Sequence, residues 1–529
     1  MNTPSDQPSK HESDRSTEAR FDDLSNGGSN GGLNGGLNGD SSSESSIRQR
    51  MGLLAGPVVF ALMLLLPAPD ALAPEAWRVA AVAALMVIWW ISEALPIPAT
   101  ALLPIVLFPV LGVTDIGGAT GPYANPLIFL FLGGFIIALA LERSRLHRRV
   151  ALTIVGLVGT RPEAIVMGFM IAAAFLSMWV SNTATAMMML PIAVSIIALV
   201  EHDDAMKSGR LQTNFALVLL LGLAYACNIG GIGTLIGTPP NALMAAFMLD
   251  QYGIEIGFAQ WMLIGLPMVV ISLPLIFLLL VRVLFPLRIS QLPGGEEVIG
   301  EQLDKAGAMS RQEKMVAAVF TLTAGLWIGR PLLEPLLPGL SDPGIAIFGA
   351  LLMFLLPVDL KKFRFVLAWS DAQKLPWGVL VLFGGGLSLA SGITDSGLAE
   401  AIGGLFRALE GLHIVLLILL ATAGVILLTE VTSNTATAAA FLPILASVAI
   451  GMGFDPLMLA VPAAIAASCA FMLPVATPPN AIVFGSGLIR IPQMARAGIL
   501  VNLVMLLVIT TLMYLLMGWV FGVSLDAAR

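Results

Sequence analysis

Two copies of one polar twelve-residue pattern interrupt very apolar sequence: SNTATAMMMLPI at Ser181–Ile192 and SNTATAAAFLPI at Ser433–Ile444. They are identical at nine of twelve positions and stand 252 residues apart. Each is followed by a second shared element, GTPPNA at Gly237–Ala242 and ATPPNA at Ala476–Ala481. The first pattern supplies hydroxyls (Ser181, Thr183, Thr185; Ser433, Thr435, Thr437) and one amide in each copy (Asn182; Asn434). If the chain turns there, the arm before it frees carbonyls and the arm after it frees N–H groups. The positive end of the second arm suits an anion, while the carbonyls and the amide oxygen suit a cation. The paired prolines of each second element remove helix hydrogen bonds and expose carbonyls near Gly237 and Ala476. One loop can thus hold Na⁺ beside an anionic group.

No Asp, Glu, Lys, Arg or His lies within either SNTAT or TPPN element. A dianion placed there meets no fixed counter-charge, so dipoles and co-bound cations must neutralise it. Sodium loading then raises anion affinity, which is the basis of coupling. Net inward movement of positive charge would draw about 2.3 kcal/mol per charge per 100 mV from the membrane potential. A lone Ser or Thr in a membrane helix usually bonds its own i−4 carbonyl or glues helices together. Duplication of the whole pattern argues against packing alone. Ser177 and Thr429, four residues before each SNT, fit either role. Glu430 is the interior acid nearest the motif, either functional or a satisfied structural carboxyl. Gly133–Gly134 and Gly384–Gly386 read as close helix contacts, and Glu93 and Glu142 as packing or interface residues.

The elements that must position these residues are membrane helices. Of 529 residues, 57% are hydrophobic and only 12% charged, against about 25% charged in a soluble domain; the mean hydropathy is +0.90. Many stretches exceed the ~18 apolar residues of a membrane span. The partner at the surface is therefore the lipid bilayer, and nothing points to nucleic acid. Cys227 and Cys469 sit in apolar helices and read as small buried hydrophobes. Apolar segments fall at about 52–68, 77–95, 97–113, 124–142, 163–200, 212–250, 257–286, 315–334, 343–359, 375–396, 411–450, 456–488 and 497–521. Those holding the SNT motifs, 163–200 and 411–450, are double length and read as helical hairpins. Residues 1–47 are polar, with NGGSNGGLNGGLNG at Asn26–Gly39, and are expected to be disordered.

Basic residues set the orientation. Arg48 and Arg50 precede the first span, and Arg143, Arg145, Arg148 and Arg149 form the densest basic loop. Further inner loops hold Arg288, Lys305, Arg311 and Lys314, then Lys361, Lys362 and Arg364, then Arg490 and Arg496. The expected outer loops at 69–76, 114–123, 251–256, 335–342 and 451–455 hold no Lys or Arg; Arg330 and Arg407 are exceptions. This pattern fits eleven spans in the cytoplasmic membrane, N-terminus inside and C-terminus outside. The first hairpin then starts and ends inside and the second starts and ends outside, which makes the repeats inverted. Re-entry is favoured over full crossing, because two matched polar breaks make sense only if they meet.

At these residues the chain resembles the divalent-anion:sodium symporters, the family of sodium-coupled dicarboxylate, citrate and sulfate transporters. The paired SNT motifs and TPP turns carry the resemblance, over nearly all of residues 50–525. It implies an all-α membrane protein of eleven spans plus two re-entrant hairpins, a homodimer, and an elevator movement. A scaffold (48–145 and 291–397) would support a transport domain (146–290 and 398–525). It implies that Ser181, Asn182, Thr183, Ser433, Asn434 and Thr435 hold substrate carboxylates, with Thr238, Pro239, Thr477 and Pro478 completing the pocket. One Na⁺ would lie near Ser177, Ser181, Asn182 and Gly237, the other near Thr429, Thr432, Asn434 and Ala476, several through main-chain carbonyls.

The leading expectation is sodium-driven uptake of a C4 dicarboxylate such as succinate, fumarate or malate. Sulfate or citrate fits the same pocket, and sodium-independent exchange is the alternative within transporters. A proton-coupled version would need Glu430. An intramembrane hydrolase lacks its nucleophile and base, since no HExxH, GxSxG or histidine stands near the SNT serines. A channel would need a continuous polar stripe, whereas polarity here is concentrated at two paired breaks.

Overall fold

A computed structural model describes residues 41–70, 72–159, 161–202, 209–287, 295–406 and 411–524. The Gly/Asn-rich run and Arg288 and Arg407 lie outside the described residues. The chain divides into two units, Met1–Arg50 and Met51–Arg529. The first apolar helix, Ser41–Leu65, begins before the polar tail was expected to end.

The chain is a multi-pass membrane protein built almost wholly from helices. Among the described residues, nine helices are long and apolar enough to cross a membrane. Several open with proline in the first turn, among them Pro74, Pro126, Pro162, Pro239 and Pro478. There its missing N–H costs nothing and its fixed φ suits the helix. The segment 97–113, expected as one span, is two short helices, Ile97–Thr100 and Leu103–Val110. Pro104, in the first turn of the second, cannot donate back into the first, so the helix breaks there.

Each duplicated segment folds as a hairpin. The first has arms Pro162–Ser177 and Asn182–His202; the second has arms Ile414–Thr429 and Asn434–Gly451. The helical gaps are Met178–Ser181 and Glu430–Ser433, so the arms end and restart at positions 252 residues apart. The first arms have 16 residues each, about 24 Å of helix, short of a ~30 Å hydrocarbon core. Each hairpin is followed by a broken helix. The pieces are Gly209–Gly231 and Pro239–Tyr252 in one half, and Leu457–Ala466 and Pro478–Phe484 in the other. In each half the first hairpin arm lies along the broken helix, and Asn182–His202 and Asn434–Gly451 pack on the second piece of the opposite half's broken helix. The window Asn214–Gly231 is 94% buried, against 22% for Arg311–Leu333, which puts the broken helix at the centre.

The glycine pairs are close contacts, as expected. A Cβ on Gly133 would meet the Ala346 backbone, one on Gly385 the Ala101 backbone, and one on Gly386 would lie 3.0 Å from Ala439 Cβ. Short helices lead into both hairpins, Leu146–Val158 and Leu398–Leu405. Each follows a left-handed residue, Arg145 (φ 62°) and Gly397 (φ 78°), again 252 residues apart.

Arginines on helices, rather than in the loops expected, tie distant parts of the chain together. Arg149 bonds Glu313 Oε1, Gly307 O and Ala306 O at 2.8 to 2.9 Å, and Arg148 bonds Gln302 at 2.6 Å. Arg330, one of the two exceptions near the expected outer face, pairs with Glu255 at 2.8 Å and Asp342 at 3.3 Å.

Candidate functional site

Both gaps leave the helix at a polar tip. Ser181 is exposed, while Asn182, Thr183, Ser433, Asn434 and Thr435 are half-buried. Asn182 and Asn434 begin their second arms, and no acidic residue stands in either first turn. The unpaired amides of those turns therefore face the gap unneutralised. Ser181 Oγ accepts from Ala184 N at 3.2 Å. Among the described residues no hydrogen bond engages the hydroxyls of Thr183, Ser433 or Thr435.

In the first half, buried side-chain oxygens stand unpartnered. Ser177 Oγ and Asn182 Oδ1 are both buried with no hydrogen-bond partner. The Cys227 thiol lies near Ser177, but no geometrically sound bond joins them. A Cβ placed on Gly231 would stand 3.1 Å from both Asn182 Oδ1 and Gly237 O. Those two oxygens thus flank a space that only a glycine leaves open. Buried polar groups without partners cost free energy unless an ion or water meets them, and the two oxygens beside Gly231 suit a hard cation, with Asn182 Nδ2 3.3 Å from the same point.

The second half repeats this with different side chains. Thr429 Oγ1 lies 2.7 Å from Asn434 Oδ1 and 2.8 Å from Ala467 O. Its single proton serves one acceptor at a time, so the group is again short of donors. Thr432 is not gathered in by its side chain. Its hydroxyl bonds Leu428 O at 2.8 Å and meets Thr437 Oγ1 at 2.5 Å.

The TPPN elements do more than expose carbonyls. Asn241 Nδ2 reaches back to Gly231 O (3.1 Å) and Thr234 O (2.8 Å); Asn480 Nδ2 reaches Ala470 O (3.2 Å) and Leu473 O (3.1 Å). Each asparagine therefore ties down the frayed end of its own broken helix in the same way. Thr238 and Thr477 cap the second pieces in extended conformation and are buried; Pro239 is half-buried and Pro478 exposed. The two threonines are each engaged from the other half. Asn228 Nδ2 donates to Thr477 Oγ1 at 3.1 Å, and Thr238 Oγ1 lies 3.3 Å from Ser468 Oγ.

Glu430 occupies the second gap, buried and fully hydrogen-bonded. Its Oε1 accepts from Phe471 N (2.7 Å), Met472 N (3.1 Å) and Asn502 Nδ2 (2.7 Å), and its Oε2 from Met472 N (3.0 Å). The carboxylate thus staples the second hairpin to the opening of its broken helix. Met178 holds the matching place in the first half, where the linkage is reversed: Thr234 Oγ1 donates to Met178 O at 2.5 Å. Cys227 and Cys469 are buried and free.

Asn228, Ser468, Ala467 and Thr234 carried no sequence signal, since none lies in a repeated motif. Asn241 and Asn480 did, as the fourth letter of both TPPN copies.

The family model described as the sodium:sulfate symporter transmembrane region matches residues 48–523. The sodium-dependent dicarboxylate transporter SdcS of Staphylococcus aureus is 46% identical over 488 residues, covering 91% of this chain and 94% of that protein. Among solved structures, the YdaH transporter of Alcanivorax borkumensis aligns with a TM-score of 0.56 at 15% identity, over 84% of this chain and 99% of that one. MtrF of Neisseria gonorrhoeae, described with a class of antimetabolite efflux pumps, gives 0.53 at 12% identity, over 90% and 96%. At such identities the two structures share the fold alone.

Proposed function

The chain belongs to the sodium:sulfate symporter family, a transporter and not an enzyme, and from that premise we propose that it couples Na⁺ entry to uptake of a C4 dicarboxylate. The named activity of SdcS, with its 46% identity, supports dicarboxylate over sulfate or citrate. The observation that carries the sodium reading is the pair of oxygens Asn182 Oδ1 and Gly237 O about the Gly231 position, with Ser177 Oγ buried and unpartnered at the end of the preceding arm, echoed by Thr429 Oγ1, Asn434 Oδ1 and Ala467 O.

In this reading one sodium enters each cradle, with Ser181 joining the first and Ala476 and the main chain of Thr432 the second. Each ion fixes its asparagine and the adjoining turn. The substrate carboxylates then take the first-turn amides and the hydroxyls of Ser181, Thr183, Ser433 and Thr435, with Asn182 and Asn434 shared between ion and anion. Thr238, Pro239, Thr477 and Pro478 close the pocket. Because no side-chain charge other than the already bonded Glu430 stands there, anion binding without sodium is weak, and the two are linked.

The hairpins are re-entrant, the repeats inverted, and the N-terminus cytoplasmic with the C-terminus outside. Residues 48–145 and 291–397 form a scaffold through which two copies dimerise. Residues 146–290 and 398–525 move against it as an elevator. The test is uptake of labelled succinate by proteoliposomes. Uptake should require an inward Na⁺ gradient; uptake indifferent to sodium but stimulated by internal dicarboxylate would make the protein an exchanger.

A further inference from the structure

Between the helix Asp342–Leu355 and the helix Trp377–Asp395 the chain forms the small sheet Pro357–Asp359 with Arg364–Phe365. Its base is held on three sides. Val366 N and Leu367 N donate to Leu356 O and Met353 O. Gln312 Nε2 donates to Val366 O at 3.2 Å, and Asp371 pairs with Arg143. The tip, Leu360–Phe363, is largely uncovered among the described residues. Leu360 is 68% exposed, Phe363 80%, and Trp369 nearby 63%.

The tip is apolar and basic at once. Lys361, Lys362 and Arg364 are exposed, and among the described residues none forms an ion pair. The acid beside them is occupied, since Asp359 Oδ1 accepts from Lys361 N and Lys362 N at 3.0 and 3.2 Å. Lys374 and Trp377 add a further exposed cation and ring at the foot of the next helix.

Phe363 makes the composition harder to dismiss. It sits at φ 49°, in the left-handed region, which a bulky aromatic adopts only at a cost and glycine adopts freely. The ring meets Phe365 edge-on at 5.0 Å yet stays largely in the open, a small return for a strained backbone. Aromatic rings and basic side chains alternating at a membrane edge are the composition that headgroup regions favour.

We propose that the Pro357–Phe365 hairpin is a docking surface for anionic phospholipid headgroups. Lys361, Lys362 and Arg364 meet the phosphates, while Leu360, Phe363 and Trp369 enter the boundary with the acyl chains. The rigid base fixes the angle of the tip, so lipid charge can grip the segment joining two apolar helices.

The test uses the full chain with Leu360→Cys labelled by bimane, since both native cysteines are buried. Vesicles of phosphatidylcholine carry brominated phosphatidylglycerol or, at the same fraction, brominated phosphatidylcholine. The brominated anionic lipid should quench more strongly, and raised salt should narrow the difference. Lys361→Gln with Lys362→Gln and Arg364→Gln should abolish the preference, by about fivefold for each charge removed. Lys361→Arg with Lys362→Arg and Arg364→Lys should keep it, which separates lost charge from lost fold. Equal quenching by both lipids, a preference surviving in the glutamine variant, or one lost in the charge-conserving variant overturns the proposal. So does quenching by neither lipid with self-quenching between labelled copies, which would put a second copy of this chain on the hairpin.

Discussion

Asn228 Nδ2 donates to Thr477 Oγ1 at 3.1 Å across the two halves of the molecule. The same amide nitrogen reaches Ala470 O at 3.4 Å, an acceptor only, which fixes which way the amide faces. Asn480 N also donates to the threonine oxygen, at 3.4 Å. With its oxygen already accepting, Thr477 keeps its own proton for a carboxylate. Asn228→Asp should reverse this, since an ionised Asp takes that proton. The KM for succinate should rise about ten- to a hundredfold, the worth of a charged hydrogen bond, while the sodium activation curve moves little. Proteoliposome uptake against succinate and against sodium checks the split.

Gly231→Ala should act on sodium first. Its methyl would stand 3.1 Å from Asn182 Oδ1 and from Gly237 O, filling the cradle. Sodium for half-maximal uptake should rise at least about tenfold, a loss near 1.4 kcal/mol. An unchanged sodium curve with normal protein yield would remove this cradle from the site.

Asn182→Ala and Asn434→Ala should each abolish sodium-dependent uptake while the protein still elutes as a folded species. Thr435→Ala should weaken succinate binding more than sodium binding. Direct titration of both ligands separates them, and near-normal transport in both asparagine variants would rule those residues out.

Glu430→Gln should destabilise rather than uncouple. Glutamine turns one accepting oxygen into a donor facing backbone N–H groups, and each buried group left unsatisfied costs about 1–3 kcal/mol. A lower thermal midpoint, with the pH profile of residual uptake unchanged, is expected. A flattened pH profile at normal stability would instead assign Glu430 to proton coupling.

Cysteines at Ala184 and Ala436 should react with impermeant thiol reagents only in part and be shielded by succinate with sodium. If each labels freely from one opposite face whatever ligand is present, the hairpins cross the membrane fully.

The repeated motifs carried most of what was legible. Helix gaps at Met178–Ser181 and Glu430–Ser433 follow from polar residues set in apolar arms. The broken helices follow from consecutive prolines. What the sequence hid is pairing between the halves. Asn228 and Ser468 look like ordinary polar residues of central helices until Thr477 and Thr238 are brought against them. Thr432 shows the converse: the family resemblance implies an ion ligand there, while its side chain turns to Thr437. The break within 97–113 follows from Pro104, which the length of the apolar run masks.

Arg145 and Gly397 stand at matched places ahead of the two hairpins, both left-handed. Glycine holds that conformation freely; arginine holds it at about 1–2 kcal/mol. One seam of the duplicated architecture is thus pliant and the other preloaded. The two matched junctions therefore need not bend with equal ease, and the hairpin behind the glycine is the one free to tilt at no backbone cost.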